Sequence, residues 1–180
     1  MMFAHVPAGY LLARLVRRLA PPAANQRALL AWGMVGGIAP DIDLFWANYV
    51  DHWMVHHHRY VTHWPSFWLL ALGLAALVLA WRRVGSGGWL ALGVFTLGVG
   101  SHLCLDWVVS AMWLLAPFSD ESFQFVHVPF NYRHWLIRLL TQWTTWADIG
   151  IAALGGLLAW RDAREWWQAR RGMGRVEAAV

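Results

Sequence analysis

The chain has 180 residues, a length that suits one domain, with 59% hydrophobic and only 13% charged residues. A soluble domain carries roughly 25% charged residues, so an ordinary water-soluble fold is excluded as the default. The net charge of +4 comes from fourteen basic residues, all Arg. They sit at the ends of apolar runs and not in a groove-binding motif, so no nucleic-acid partner is expected.

Residues 3–19 begin apolar and end basic with Arg14, Arg17 and Arg18. A secretory signal peptide has its charge before the apolar core, so this segment reads as retained structure. Residues 27–39 are apolar and end at Pro40-Asp41-Ile42-Asp43. At 1.5 Å per residue the two stretches reach about 25 Å and 20 Å, short of the roughly 30 Å hydrocarbon core. They are expected to cross with local thinning, to re-enter, or to lie at the interface.

Residues 66–81 carry no charge; Pro65 suits a first-turn position, and Arg82-Arg83 followed by Gly85-Ser86-Gly87-Gly88 closes the segment with a tight turn. Residues 89–117 form a second long apolar run whose only charge is Asp106, and residues 139–160 a third, with Asp148 inside it. Residues 120–133 between them read as a loop. Seven of the fifteen Trp (Trp64, Trp68, Trp81, Trp89, Trp113, Trp135 and Trp160) fall near the ends of these runs, where an indole keeps its N–H wet. The single cysteine, Cys104, allows no intramolecular disulfide. The expected fold is therefore all-α: a polytopic membrane bundle of about five helices, three clear spans plus two short N-terminal ones. It occupies residues 1–160 and is followed by an Arg/Trp-rich interfacial tail over 161–180.

Arginine sets the orientation. With Arg82-Arg83 in the cytoplasm, eleven of the fourteen Arg become cytoplasmic, leaving only Arg59, Arg133 and Arg138 outside. The C-terminus is then cytoplasmic. The same arrangement, set by Arg alone, brings His5, Asp41, Asp43, His56, His57, His58 and His63 to the outer end. His102 and Asp106 join them from within a helix, sharing one face because four residues make about one turn. Ionisable groups at membrane depth are costly and point to function. Each group alone has a structural explanation: interhelical hydrogen bonding for His102–Asp106, helix capping for Asp41 and Asp43, an interfacial polar run for His56–His58. Four separated segments delivering N and O donors to one membrane face point instead to a divalent metal: zinc first, with manganese or iron as options. Cys104 faces away from His102 and Asp106 and reads as packing. Asp148 reads equally as a ligand or neighbouring partner and as half of a buried salt bridge. Arg59 and Arg133 are the outer cations able to meet an anionic substrate, while His127 and His134 read as loop residues.

The order of His5, Pro40-Asp41-Ile42-Asp43, His58-Arg59-Tyr60-Val61-Thr62-His63 and Ser101-His102-Leu103-Cys104-Leu105-Asp106, followed by Leu114-Leu115-Ala116-Pro117, resembles the YdjM-like family of membrane-bound metal-dependent hydrolases. The resemblance covers residues 1–119. That family is similar to zinc-dependent phospholipases C and single-strand nucleases, whose helical His-x-x-x-Asp ligates zinc. The resemblance implies Asp41, His63, His102 and Asp106 as the leading ligands, with His5, Asp43 and His58 next. Two positions depart from its pattern: Trp64 stands where the family has Ser, and Met112 where it has Gly.

The expected function is a metal-dependent hydrolase of a bacterial inner membrane. It would cleave a phosphoester, in a lipid or a lipid-linked substrate, with metal-activated water at the outer face. Asp43 would accept the water's proton, and the metal with Arg59 or Arg133 would hold developing charge. The alternative is a haem or metal handler without hydrolytic activity.

Overall fold

The computed structural model describes residues 3–21, 24–126 and 140–177, with side chains to residue 171. Among the described residues six α-helices follow one another: α1 His5–Arg17, α2 Gln26–Ile38, α3 Leu44–Tyr49, α4 Pro65–Trp81, α5 Ser86–Val109 and α6 Trp143–Glu177. Short 3-10 turns occupy Ala39–Asp43, His57–Arg59 and Val61–His63. Among the described residues the sole β feature is an isolated antiparallel bridge between Met112 and Phe123. The all-helical expectation therefore holds. The loop residues His127, Arg133 and His134, together with Trp135 and Arg138, lie outside the described residues.

Span lengths differ from those expected. Residues 27–39 do not end at the Pro-Asp motif: the 3-10 turn and α3 prolong the apolar stretch to Gln26–Tyr49. That segment and Ser86–Val109, 24 residues each, are the two described stretches long and apolar enough to cross a membrane, about 36 Å by helical rise. The run over residues 66–81 becomes a 17-residue helix, Pro65–Trp81, below that length. The run over 89–117 stops at Val109, because Ser110 is extended and the chain folds back to the Met112–Phe123 bridge. Helix α6 passes residue 161 without a break.

Local signals set the ends. Asn25 caps α2, its Oδ1 accepting the Ala28 N–H at 3.1 Å. Pro65 occupies the first turn of α4, where its missing N–H leaves nothing unsatisfied. Pro40 interrupts the ladder after α2, and the tighter 3-10 turn takes over.

Helices α1, α2 and α5 form the centre of the bundle, and glycines let their backbones meet. A Cβ on Gly37 would land on the His5 carbonyl, and one on Gly98 would meet the Gly33 carbonyl. Gly33 and Gly37 thus present the small-xxx-small surface used by packed membrane helices. Helix α6 joins along α1, with Gly155 against Pro7. At that pair's far end, the buried Asp162 takes the Tyr10 hydroxyl at 2.6 Å and is paired with Arg14 and Arg17. Helix α4 is apolar all round yet buries no residue; Leu69, Leu70, Leu74 and Leu77 are all more than half exposed. A soluble protein does not leave such a helix in water, and a bilayer accepts it.

Candidate metal centre

The sequence motifs converge at the end of the bundle opposite Asp162. His5 opens α1, the 3-10 turn after α2 carries Asp41 and Asp43, the two turns before α4 carry His57, His58 and His63, and α5 supplies His102 and Asp106. His63 and His102 are fully buried, Asp106 is 1% exposed, and His5, His58 and Asp43 are also buried.

Four side chains face a common centre. His102 Nε2 lies 3.0 Å from Asp106 Oδ2 and 3.6 Å from Asp41 Oδ1. His63 Nε2 lies 3.7 Å from Asp41 Oδ1, 3.8 Å from Asp106 Oδ2 and 3.4 Å from His102 Nε2. Bonds of about 2.0–2.2 Å to a tetrahedral ion would set ligand atoms about 3.3–3.6 Å apart. The spacing of His63, His102 and Asp106 suits one ion, with Asp41 Oδ1 within reach of both imidazoles.

The imidazoles are also turned the right way. His63 Nδ1 lies 2.7 Å from Asp43 Oδ2, which also accepts the Thr62 hydroxyl at 2.7 Å. His102 Nδ1 lies 2.8 Å from the Gly37 carbonyl. Both partners are acceptors, so each Nδ1 carries the proton and each Nε2 offers its lone pair to the centre. Two protonated Nε2 atoms 3.4 Å apart would aim donors and charges at each other. The pair could share a cation, and imidazole and carboxylate donors are of the kind that hold zinc, manganese or iron.

More donors surround this core. Asp106 Oδ1 meets His5 Nε2 at 3.1 Å, and Oδ2 meets His58 Nε2 at 3.4 Å. The His5 and His102 rings stack at 3.8 Å. His5 Nδ1, His58 Nδ1 and Asp43 Oδ1 are buried without a hydrogen-bond partner. Such orphaned polar atoms are expensive unless something binds them. Imidazoles meet both oxygens of Asp106, so its carboxylate could serve more than one ion. His57, His58 and His63 form a further group within ligand reach of one another. Burial, with His58 and His63 alongside, pushes His57 down to about 3, so its imidazole stays neutral.

The expected residues do not all enter the cluster. Asp43 engages His63 Nδ1 through Oδ2, so it positions that ligand, and only Oδ1 remains free. Arg59 points outward: its guanidinium pairs with exposed Asp120 at 3.3 Å and lies over Trp113. Cys104 faces away as expected but is exposed, so it does not pack in the interior. Asp148 is neither ligand nor salt-bridge partner in the described contacts. Its carboxylate accepts the backbone N–H groups of Phe3 and Ala4, the latter at 2.8 Å, and so anchors the start of α1 beside His5. At the two positions departing from the family pattern, Trp64 Nε1 donates to the Arg59 carbonyl at 3.0 Å, and Met112 is fully buried and bridged to Phe123.

Sequence reasoning missed Gly37, although Gly33 and Gly37, with three residues between them in an apolar run, were a readable close-packing signal. It also passed over Thr62, which lies inside the His-Arg-x-x-Thr-His motif.

A family model described as YdjM inner membrane protein matches residues 1–169. The chain belongs to this family. The match runs beyond the last motif read from the sequence, through the first part of α6 with Asp148 and Asp162. The family's description, with two long apolar helices, makes this a membrane protein. Comparison with curated proteins and with solved structures finds no match.

Proposed function

We propose that this YdjM family member is a metal-dependent hydrolase that cleaves phosphoesters at the outer face of the bacterial inner membrane. The observation that carries the reading is that Nε2 of His63 and of His102 lie 3.4 Å apart and each 3.0–3.8 Å from carboxylate oxygens of Asp41 and Asp106, with both imidazoles held Nε2 inward. The likeness of His102-x-x-x-Asp106 to the helical motif of zinc-dependent phospholipases C supports the same chemistry.

A bound divalent ion supplies Lewis acidity, lowering the pKa of water toward about 7 and offsetting charge on phosphoester oxygens. The chain's residues do the rest. Asp41, His63, His102 and Asp106 would hold the ion, with zinc the best match to these donors, and His5 and His58 would be the donors for a second. Asp43 orients His63, and its unpartnered Oδ1 is the carboxylate left to accept a proton. Arg59, at the exposed rim, meets the incoming anion. A haem reading fits less well: the His5 and His102 rings stack directly at 3.8 Å, leaving no gap for a porphyrin, and three carboxylates share the site.

The bundle crosses the bilayer several times. The eleven-to-three Arg division supports a cytoplasmic C-terminus and an outer metal centre.

The test is metal content beside fold. His102→Ala and Asp106→Ala, purified in detergent, are expected to lose bound zinc and phosphodiesterase activity while keeping wild-type helicity. Either variant retaining full metal overturns the assignment.

A further inference from the structure

The two cavities on the α2–α4 side run toward the metal centre. The larger, about 720 Å³, lies in the seam between α2 and α4 with α5 as its floor. Small residues open it: Ala28 on α2, Ala71 and Ala75 on α4, Ala91 on α5. Asn25, at its far end, is the single polar residue among its walls. The second cavity, about 560 Å³, continues along the same two helices and is lined by Phe67, Thr62 and Asp41. Trp68 borders both. Its Nε1 donates to the Thr62 carbonyl at 2.6 Å and its ring meets Phe95 at 5.9 Å, so it is fixed where the cavities join.

This seam has the direction and chemistry of a lipid chain. From Ala28 to Asp41 is thirteen residues, about 20 Å by helical rise, roughly two-thirds of the 30 Å hydrocarbon core. It opens beside α4, which buries no residue and whose surroundings are therefore hydrocarbon. Hydrated solutes do not travel along such a wall, whereas acyl chains are the solvent there. The seam ends at Asp41, whose Oδ1 faces His63 and His102.

We propose that the α2–α4 seam binds an acyl chain of a membrane lipid, which enters sideways from the bilayer and places its phosphate headgroup beside Asp41. The fate of the headgroup rests on the hydrolase reading; occupancy of the seam by the chain does not. The substrate class is then a phospholipid, held by its chain below and its phosphate above.

The experiment uses the full-length protein in phosphatidylglycerol vesicles doped with a phosphatidylglycerol carrying a diazirine at the end of one acyl chain. After photolysis, adducts are mapped by mass spectrometry. They are expected to concentrate at Ala28, Trp32 and Ala75 and to be sparse at the exposed Leu70, Leu74 and Leu77. Ala75→Phe, which fills the seam, is expected to cut the labelling of Ala28 and Trp32 several-fold. It should also lower the long-chain to short-chain ratio of hydrolytic efficiency by roughly tenfold, the low end of what one methylene's fit is worth in an apolar pocket. Labelling spread evenly over α4 is annular lipid only and overturns the proposal, as does an Ala75→Phe pattern like wild type. Should that variant not fold, the wild-type map alone decides. Seam labelling with no turnover supports the chain site and removes the hydrolase reading, so the two failures are distinguishable.

Discussion

Asp43→Asn separates a positioning carboxylate from a merely structural one. Asp43 is 6% exposed, and its Oδ2 accepts both the His63 imidazole and the Thr62 hydroxyl at 2.7 Å. The amide keeps the volume and one acceptor oxygen but loses the charge, and with it the stronger, charge-assisted bond to Nδ1–H. His63 then becomes a less basic ligand, less firmly held in the tautomer that presents Nε2. Removing such an outer partner typically costs about 10–100-fold in metal affinity, equivalent to about 1.4–2.7 kcal/mol. Competition for zinc against a fluorescent chelator in detergent measures this directly. Expected is a 10–100-fold weaker Kd, with full occupancy restored at high zinc and helicity unchanged. Thr62→Val should produce a smaller loss, because it removes a neutral donor and leaves the carboxylate. An Asp43→Asn protein that binds zinc as tightly as wild type would refute the claim that Asp43 acts through His63.

Other perturbations reach the scaffold. Asp148→Asn weakens the anchor on the Phe3 and Ala4 N–H groups and should cost about 1–2 kcal/mol, in the range of a lost helix cap. It should also speed hydrogen exchange at residues 3–8; unchanged exchange there would remove the anchoring role. Gly37→Leu drives a side chain into the His5 carbonyl and should lower thermal stability by at least the 1–3 kcal/mol of ordinary overpacking. Gly73→Ala, which meets nothing within 4 Å, should be neutral or slightly stabilising; equal effects at the two sites would contradict the packing account. A cytoplasmic reporter fused at the C-terminus should be active and a periplasmic one silent, and the reverse result would move the centre to the inner face.

The gathering of the His and Asp residues was more legible than the helix bounds around it. His5, Asp41, His63, His102 and Asp106 could be grouped because membrane helices have only two ends, so charge asymmetry alone sorts donors onto one side. What periodicity could not show was which nitrogen each imidazole presents. That depends on Asp43 and on the Gly37 carbonyl, and a backbone acceptor leaves no trace in side-chain chemistry. Helix bounds failed where local geometry overrode apolarity. Pro40 ends the α-helical ladder, yet the chain continues through a 3-10 turn into α3, and Val109 ends a helix whose apolar sequence runs on. Asp148 illustrates a third limit: its partners are amides 144 and 145 residues away in the chain, and no spacing rule joins them.

The charge of the centre makes the strongest physical case for a cation. Asp41, Asp43 and Asp106 lie among the buried imidazoles of His5, His58, His63 and His102 at the end of an apolar bundle, where an uncompensated carboxylate is costly. His5 and His58 can meet Asp106, but protonation of the inner pair is limited by its geometry. His63 and His102 both spend Nδ1 on acceptors and turn their Nε2 atoms on one another at 3.4 Å, so at most one of the pair can carry a second proton. A divalent ion at their meeting point would supply positive charge without that repulsion and would give each Nε2 a partner. The prediction runs through stability. If the ion completes the site, chelation of purified protein should lower its melting temperature and zinc should restore it, because a ligand bound only to the folded state stabilises it by mass action. In Asp41→Asn/Asp106→Asn protein two of the buried negative charges are gone, so the melting temperature should no longer respond to chelator. A wild-type melting temperature indifferent to chelation, in a preparation shown to contain zinc beforehand and none afterwards, would mean that the carboxylates are balanced by protons and that the cluster is structural.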